Sequence, residues 1–89
     1  MVHLTAKPEI YEGQLVIIDP NYADKNKPEQ MVAVVTDSSN PNYVIVRDAE
    51  GTENTHHNSN VFDIDSSEAS KIISKYRLED AIEEFEDDL

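Results

Sequence analysis

The chain has no cysteine and no tryptophan, only two glycines, and 7 basic residues against 19 acidic ones in 89. Each scarcity excludes something. Without cysteine there is no disulfide to staple a small fold and no thiolate zinc site. The longest unbroken apolar run, residues 31–35, is five residues long, whereas a membrane-spanning helix needs about 20. The first five residues, Met-Val-His-Leu-Thr, lack the basic region and apolar run of a secretory leader. A soluble, cytoplasmic protein is therefore expected. Its net charge of −12 repels nucleic acid and anionic lipid and attracts basic proteins. Neither direct nucleic-acid binding nor membrane binding is expected.

What is present reads first as β structure. Residues 14–19, 30–36 and 43–48 are rich in Val and Ile, whose restricted side-chain rotamers suit a pleated sheet. Residues 52–57 read as a polar edge strand, and 61–64 as a short one with Val61 inward. The breaks differ in chemistry. A long loop, 20–29, carries Pro at its start and near its end. Residues 37–42 are dense in turn formers. Residues 48–51 form a tight hairpin with Gly51 at the position that favours a left-handed residue. Residues 58–60 make a single turn.

A long loop, a medium loop, a tight hairpin and a one-turn link joining five short strands resemble the SH3-like small barrels. The opening Gly13-x-x-Val16-x-Ile18 resembles the start of a KOW-type barrel, although the further glycine such motifs carry between their first two strands is absent. Tyr43-Val44-Ile45-Val46-Arg47 is similar to the third strand of the small stromal barrel subunit of photosystem I. The Ala-Leu-Tyr-Asp-Tyr signature of signalling SH3 domains is lacking, so polyproline recognition is not expected. The resemblance implies a five-stranded SH3-like barrel over residues 1–65. One or two short helices follow over 66–89, a mainly β fold with C-terminal α structure. A tiny, acidic, cysteine-free chain also looks like a phage-encoded host-takeover protein.

The helical third opens with Asp65-Ser66-Ser67-Glu68, read as a capping box with Asp65 as N-cap. Ala69, Ile72, Ile73 and Tyr76 then share one helical stripe. Leu78, Ala81, Ile82, Phe85 and Leu89 form a second stripe. On one continuous helix, at about 100° per residue, the two stripes lie on nearly opposite sides. Either the helix restarts near Arg77, or the second stripe is shown to something else. The partner reading is favoured here. Residues 78–89 carry seven carboxylates and no base, and those at the C-terminal end oppose the helix dipole.

Other chemistry finds little support. His56 and His57 are adjacent, so on a strand they face opposite ways and cannot share a metal ion; His3 and Asp63 are further ligands that nothing fixes. A calcium loop starting at Asp63 would need Gly and Glu where Glu68 and Ser74 stand. There is no Gly-x-Ser-x-Gly and no Gly-rich phosphate loop. No enzymatic activity, metal or cofactor is expected. Tyr22 and Tyr43 are read as partly buried supports. The functional expectation is a small acidic protein-binding module engaging a basic surface, with inhibition of a nucleic-acid-handling protein by charge mimicry of DNA as its strong form. The partner-binding residues are Glu79, Asp80, Glu83, Glu84, Glu86, Asp87 and Asp88, with Ile82, Phe85 and Leu89 as apolar anchors. The alternative is a structural accessory subunit docking through the barrel face and the 20–29 loop, where Tyr22, Lys25 and Lys27 stand. A homodimer through residues 78–89 is the third reading.

Overall fold

Five strands, β1 (Leu15–Ile18), β2 (Val32–Asp37), β3 (Tyr43–Asp48), β4 (Glu53–His57) and β5 (Val61–Asp63), precede two helices, α1 (Ser67–Tyr76) and α2 (Glu79–Asp88), in a computed structural model that describes residues 10–88. The strands form one antiparallel sheet in the order β4-β3-β2-β1-β5. The long β1–β2 loop holds two 3-10 turns, Pro20–Tyr22 and Pro28–Gln30, and a third, Asn58–Asn60, links β4 to β5. The expected closed barrel is not formed: β4 and β5 are the two edges and do not pair with each other.

β1 and β2 are buried on both faces, which is why they read as continuous apolar runs. On the inner face Val16, Ile18, Ala33, Val35, Val44, Val46 and Val61 pack together, with Ile10 and Ala23 against them. On the other face Ile17, Val32 and Val34 pack with Met31, Ala69, Leu78 and Phe85. The second cluster is where the helices dock. A register shift at Thr36 lets β2 bend there, between the pairs Val35–Val46 and Asp37–Ile45.

Two polar side chains are buried to hold the ends of strands. Asp48 is 5 % exposed. Its Oδ1 accepts from the backbone N–H of Glu50 at 2.9 Å and of Thr52 at 3.0 Å. This closes the β3–β4 hairpin, in which Gly51 takes φ 86°, a region costly for residues with a Cβ. Gln14 accepts from the Tyr11 N–H at 3.0 Å and donates to Asp63 Oδ2, tying the start of β1 to the end of β5.

The helix cap lies one residue later than the sequence suggests. Ser66, not Asp65, is the N-cap of α1: its Oγ accepts from the Ala69 N–H at 3.1 Å and donates to the Asp63 carbonyl at 2.7 Å. Asp65 is exposed, and its own N–H donates to Asp63 Oδ1 at 2.7 Å. With Ala69 three residues after the cap, no reciprocal capping box forms. Asp63 has already ordered the turn, so a hydroxyl at 66 is the better placed acceptor.

The decisive local feature is Arg77. It is the non-glycine residue with positive φ among those described, at φ 56° and ψ 56°. Behind it the Leu78 N–H donates to the Ile73 carbonyl at 3.0 Å, the wrapping bond of a Schellman motif, in which the residue after the left-handed one contacts the last helical turn. Leu78 is fully buried. α2 then starts in a new direction, with the Ile82 N–H donating to the Leu78 carbonyl at 2.9 Å. The restart turns the second stripe back onto the sheet. Phe85 is 6 % exposed, and Ala81 and Ile82 pack on the same cluster half-buried. Phe85 is thus a core residue rather than an exposed anchor, and Ile82 is half-buried against the same cluster. Leu89, His3 and Lys7 lie outside the described residues.

An arginine in the left-handed region bears a backbone cost that glycine does not. Arg77→Gly is therefore expected to stabilise the fold by about 0.5–1 kcal/mol, read as a higher urea midpoint with unchanged slope.

Candidate functional site

α2 presents its acids as a result of how it docks. With Ala81, Ile82 and Phe85 toward the sheet, Glu79, Asp80, Glu83, Glu84, Glu86 and Asp87 are all exposed. Of Asp88 only its place at the helix end is described. Glu79–Glu83, Asp80–Glu84 and Glu83–Asp87 are like-charge pairs at i, i+4, each unfavourable by roughly 0.2–0.5 kcal/mol. No basic residue stands in the last turn. The helix is thus repulsive along its outer face and held by its inner one.

The acidic surface extends beyond α2. A groove of about 450 Å³ runs between α2, the Pro28–Gln30 turn and the β3–β4 hairpin. Four carboxylates line it, Glu29, Glu50, Asp80 and Glu84, together with the Arg77 side chain, and the apolar floor includes Pro28, Ala81 and Phe85. The two non-helical walls are tied together: Ala49 N–H donates to the Glu29 carbonyl at 3.3 Å, and Gln30 Nε2 donates to Glu50 Oε1 at 3.1 Å. A concave, negatively lined groove with an apolar base suits a lysine or arginine side chain, whose charged head pairs while its stem packs.

Glu29, Glu50 and Arg77 did not emerge from the sequence as site residues. A signal for two of them exists. Ala33 pairs with Asp48, so the residues just before β2 and just after β3 meet at one end of the sheet. Arg77 had no such signal, because its place depends on the turn it makes.

A second concavity, about 510 Å³, lies between Asn21–Asp24 of the long loop and the inner side of β4, and is lined by Asp24, Gln30, Asp48, Thr52, Asn54 and His56 among others. Asp19 and Asp24 shape the loop by accepting from the N–H groups of Asn21 and Asn26, each at 2.9 Å. Tyr22 is 58 % exposed and Lys25 and Lys27 are exposed beside it. Tyr43 is 50 % exposed. Both tyrosines are more open than supports would be, although the Tyr43 ring does meet His57 edge-on at 5.4 Å.

The two histidines part as strand alternation requires. His56 is half-buried on the inner side. His57 is exposed, and its Nδ1 lies 2.7 Å from Ser59 Oγ and accepts the Ser59 N–H at 3.1 Å. Among the described residues no three His, Cys, Asp or Glu side chains are grouped to hold a metal ion, and no helix is long and apolar enough to cross a membrane.

No family model, no curated protein and no solved structure matches this chain.

Burial holds the His56 pKa below its ordinary 6.5, because the charged ring would lose hydration. The unfolded chain then binds a proton that the folded chain resists. Stability is full above pH 6.5 and declines as pH falls from there toward the lower folded value. His56→Gln is expected to flatten the slope of unfolding free energy between about pH 7 and 5.5, measured by urea titration at each pH.

Proposed function

We propose that this chain is a small acidic protein-binding module. It engages a basic surface of a larger protein through the outer face of α2 and the groove that α2 forms with the hairpin and the Pro28–Gln30 turn. In the strong form of this reading the target handles nucleic acid, and the carboxylates take the place of DNA phosphates. The observation that carries the proposal is the unrelieved repulsion on α2. Glu79 and Asp80 suit the positive end of the helix dipole, but Glu83, Glu84, Glu86 and Asp87 follow with no base among them, and their mutual repulsion costs stability. A face kept this negative at such cost is what contact with a cationic surface calls for, since that contact relieves it. The further carboxylates contributed by Glu29 and Glu50 support the same reading.

The architecture fits a scaffold role. We assign the sheet to the SH3-like class on its order of connections and its curl around one apolar interior. The structural accessory-subunit reading is retained for one reason: the concavity beside β4 is flanked by the exposed Tyr22, and a partner could dock there without using α2.

Truncation at residue 78 cannot separate these readings, since it removes Leu78 and Phe85 from the core. Charge substitution can. Glu83→Gln relieves two i, i+4 repulsions and is expected to raise stability by about 0.5–1 kcal/mol at low salt, with the gain shrinking in high salt. A variant with Glu79→Gln, Asp80→Asn, Glu83→Gln, Glu84→Gln and Asp87→Asn should keep its fold, because relief of the i, i+4 repulsions offsets the loss of two acids at the helix start. It should also lose, by tenfold or more, the salt-sensitive binding of partners that wild type captures from lysate, and it should no longer compete with duplex DNA for any captured nucleic-acid-binding protein. Unchanged capture by this folded, neutralised variant, together with loss on Tyr22→Ala, favours the accessory reading and defeats the acidic one.

A further inference from the structure

The β4 edge is the part of this surface that the acidic reading does not use. Among the described residues β4 pairs with β3 alone. Its ladder is bracketed by Asp48 N–H donating to the Thr52 carbonyl at 3.0 Å and Asn58 N–H donating to the Asn42 carbonyl at 2.9 Å. In an antiparallel pair the hydrogen-bonded positions alternate. Thr52, Asn54, His56 and Asn58 therefore turn their backbone groups to β3. Glu53, Thr55 and His57 turn theirs the other way, away from β3, and of these groups only the His57 carbonyl is engaged among the described residues, opening the Asn58–Asn60 turn as its N-cap. Glu53, Thr55 and His57 are all exposed, and a space of about 510 Å³ separates the long loop from the inner side of the strand. The strand carries no proline, no lysine and no bulge, devices that ordinarily protect an edge.

We infer that this edge pairs with β4 of a second copy of the chain, antiparallel about a two-fold axis through Thr55. The sequence Glu53-Asn54-Thr55-His56-His57 is self-complementary in that register. Thr55 meets Thr55 of the other copy, and Glu53 meets its His57. The three outward-facing residues of each strand then exchange six N–H···O bonds across the axis. Glu53 and His57 lie on the same face, so a carboxylate stands opposite an imidazole twice, once on each side of the axis. The ring is set up for that contact. Nδ1 is occupied by the Ser59 N–H, a group that can only donate, so the neutral ring carries its proton on Nε2, free to donate to a carboxylate.

Local charge favours a second copy over a basic peptide. Arg47 lies opposite Glu53 on β3 and balances its charge, so with His56 and His57 this edge is close to neutral in a chain of net charge −12. On the inner side Asn54 would meet His56 of the other copy, and burial already keeps that ring toward its neutral form. The arrangement leaves α2 free and yields a bivalent acidic particle.

Light scattering on the intact chain up to about 1 mM tests the pairing, since a six-bond strand contact is small and of modest affinity. The expected result is a concentration-dependent rise from 10.1 kDa toward twice that mass. Higher salt should strengthen it, because screening weakens repulsion between two acidic copies. Thr55→Pro removes only an outward N–H, which an edge strand tolerates, and should return the chain to a monomer. Glu53→Lys and His57→Glu should each weaken the dimer by up to roughly fivefold, while the double variant restores it. Amide exchange on wild type keeps the test independent of any variant's folding: the N–H groups of Glu53, Thr55 and His57 should exchange fast when dilute and slow when concentrated. A monomer throughout the range, or a dimer in which these three amides remain unprotected, overturns the inference.

Discussion

α2 packs where it does because one residue, Arg77, leaves the right-handed helical region. A straight continuation from Tyr76 would carry Ile82 and Phe85 to the side away from the sheet. The left-handed turn, closed by the Leu78 N–H on the Ile73 carbonyl, instead delivers Leu78 and Phe85 into the cluster that Ile17, Val32 and Val34 form with Ala69. The apolar stripe is consumed by the fold, and its opposite face is left to solvent. The acidic character of the exposed surface is thus a consequence of backbone geometry at one position as much as of composition. That geometry also brings Arg77 into the lining of the groove, together with Asp80, Glu84, Glu29 and Glu50.

The sheet explains why two helices are needed. β1 and β2 are buried on both sides, so each needs a cover on each side. The curled sheet supplies the inner one from its own Val44, Val46 and Val61. The outer one must come from elsewhere, and a single ten-residue helix is about 15 Å long. α1 covers the β1 and β5 side, and α2 reaches β2 and the Pro28–Gln30 turn. Beyond them the outer side of β3 and β4 is uncovered, which is why Tyr43, Arg47, Thr55 and His57 are exposed.

Much of the sheet was legible in the sequence because its signals are local. β-branched runs marked β1 to β3, and the turn chemistry of Asp48 and Gly51 marked the hairpin. The cap was misplaced by one residue because Asp65 and Ser66 are both good acceptors, and the choice between them was made by Asp63, whose carbonyl and carboxylate hold the turn. The closed barrel was not found, since closure depends on how far the sheet curls, and strand pattern does not encode that. The acids of α2 were legible by composition. Their neighbours Glu29 and Glu50 were not, because only pairing of β2 with β3 brings those segments together. The apolar anchors were misread for one reason: the periodicity of residues 69–85 describes two stripes, and nothing in it says whether a non-glycine such as Arg77 will accept positive φ.

The account rests on α2 being part of the core rather than an appendage. Urea unfolding of Phe85→Ala, followed by amide exchange in both the sheet and α2, tests this directly. A buried phenylalanine in a shared core predicts a loss of about 3–5 kcal/mol, felt equally by amides of β1, β2 and α2 in one cooperative transition. If α2 amides exchange like those of an unfolded peptide while the sheet keeps its full stability, the helix is peripheral and the account is wrong.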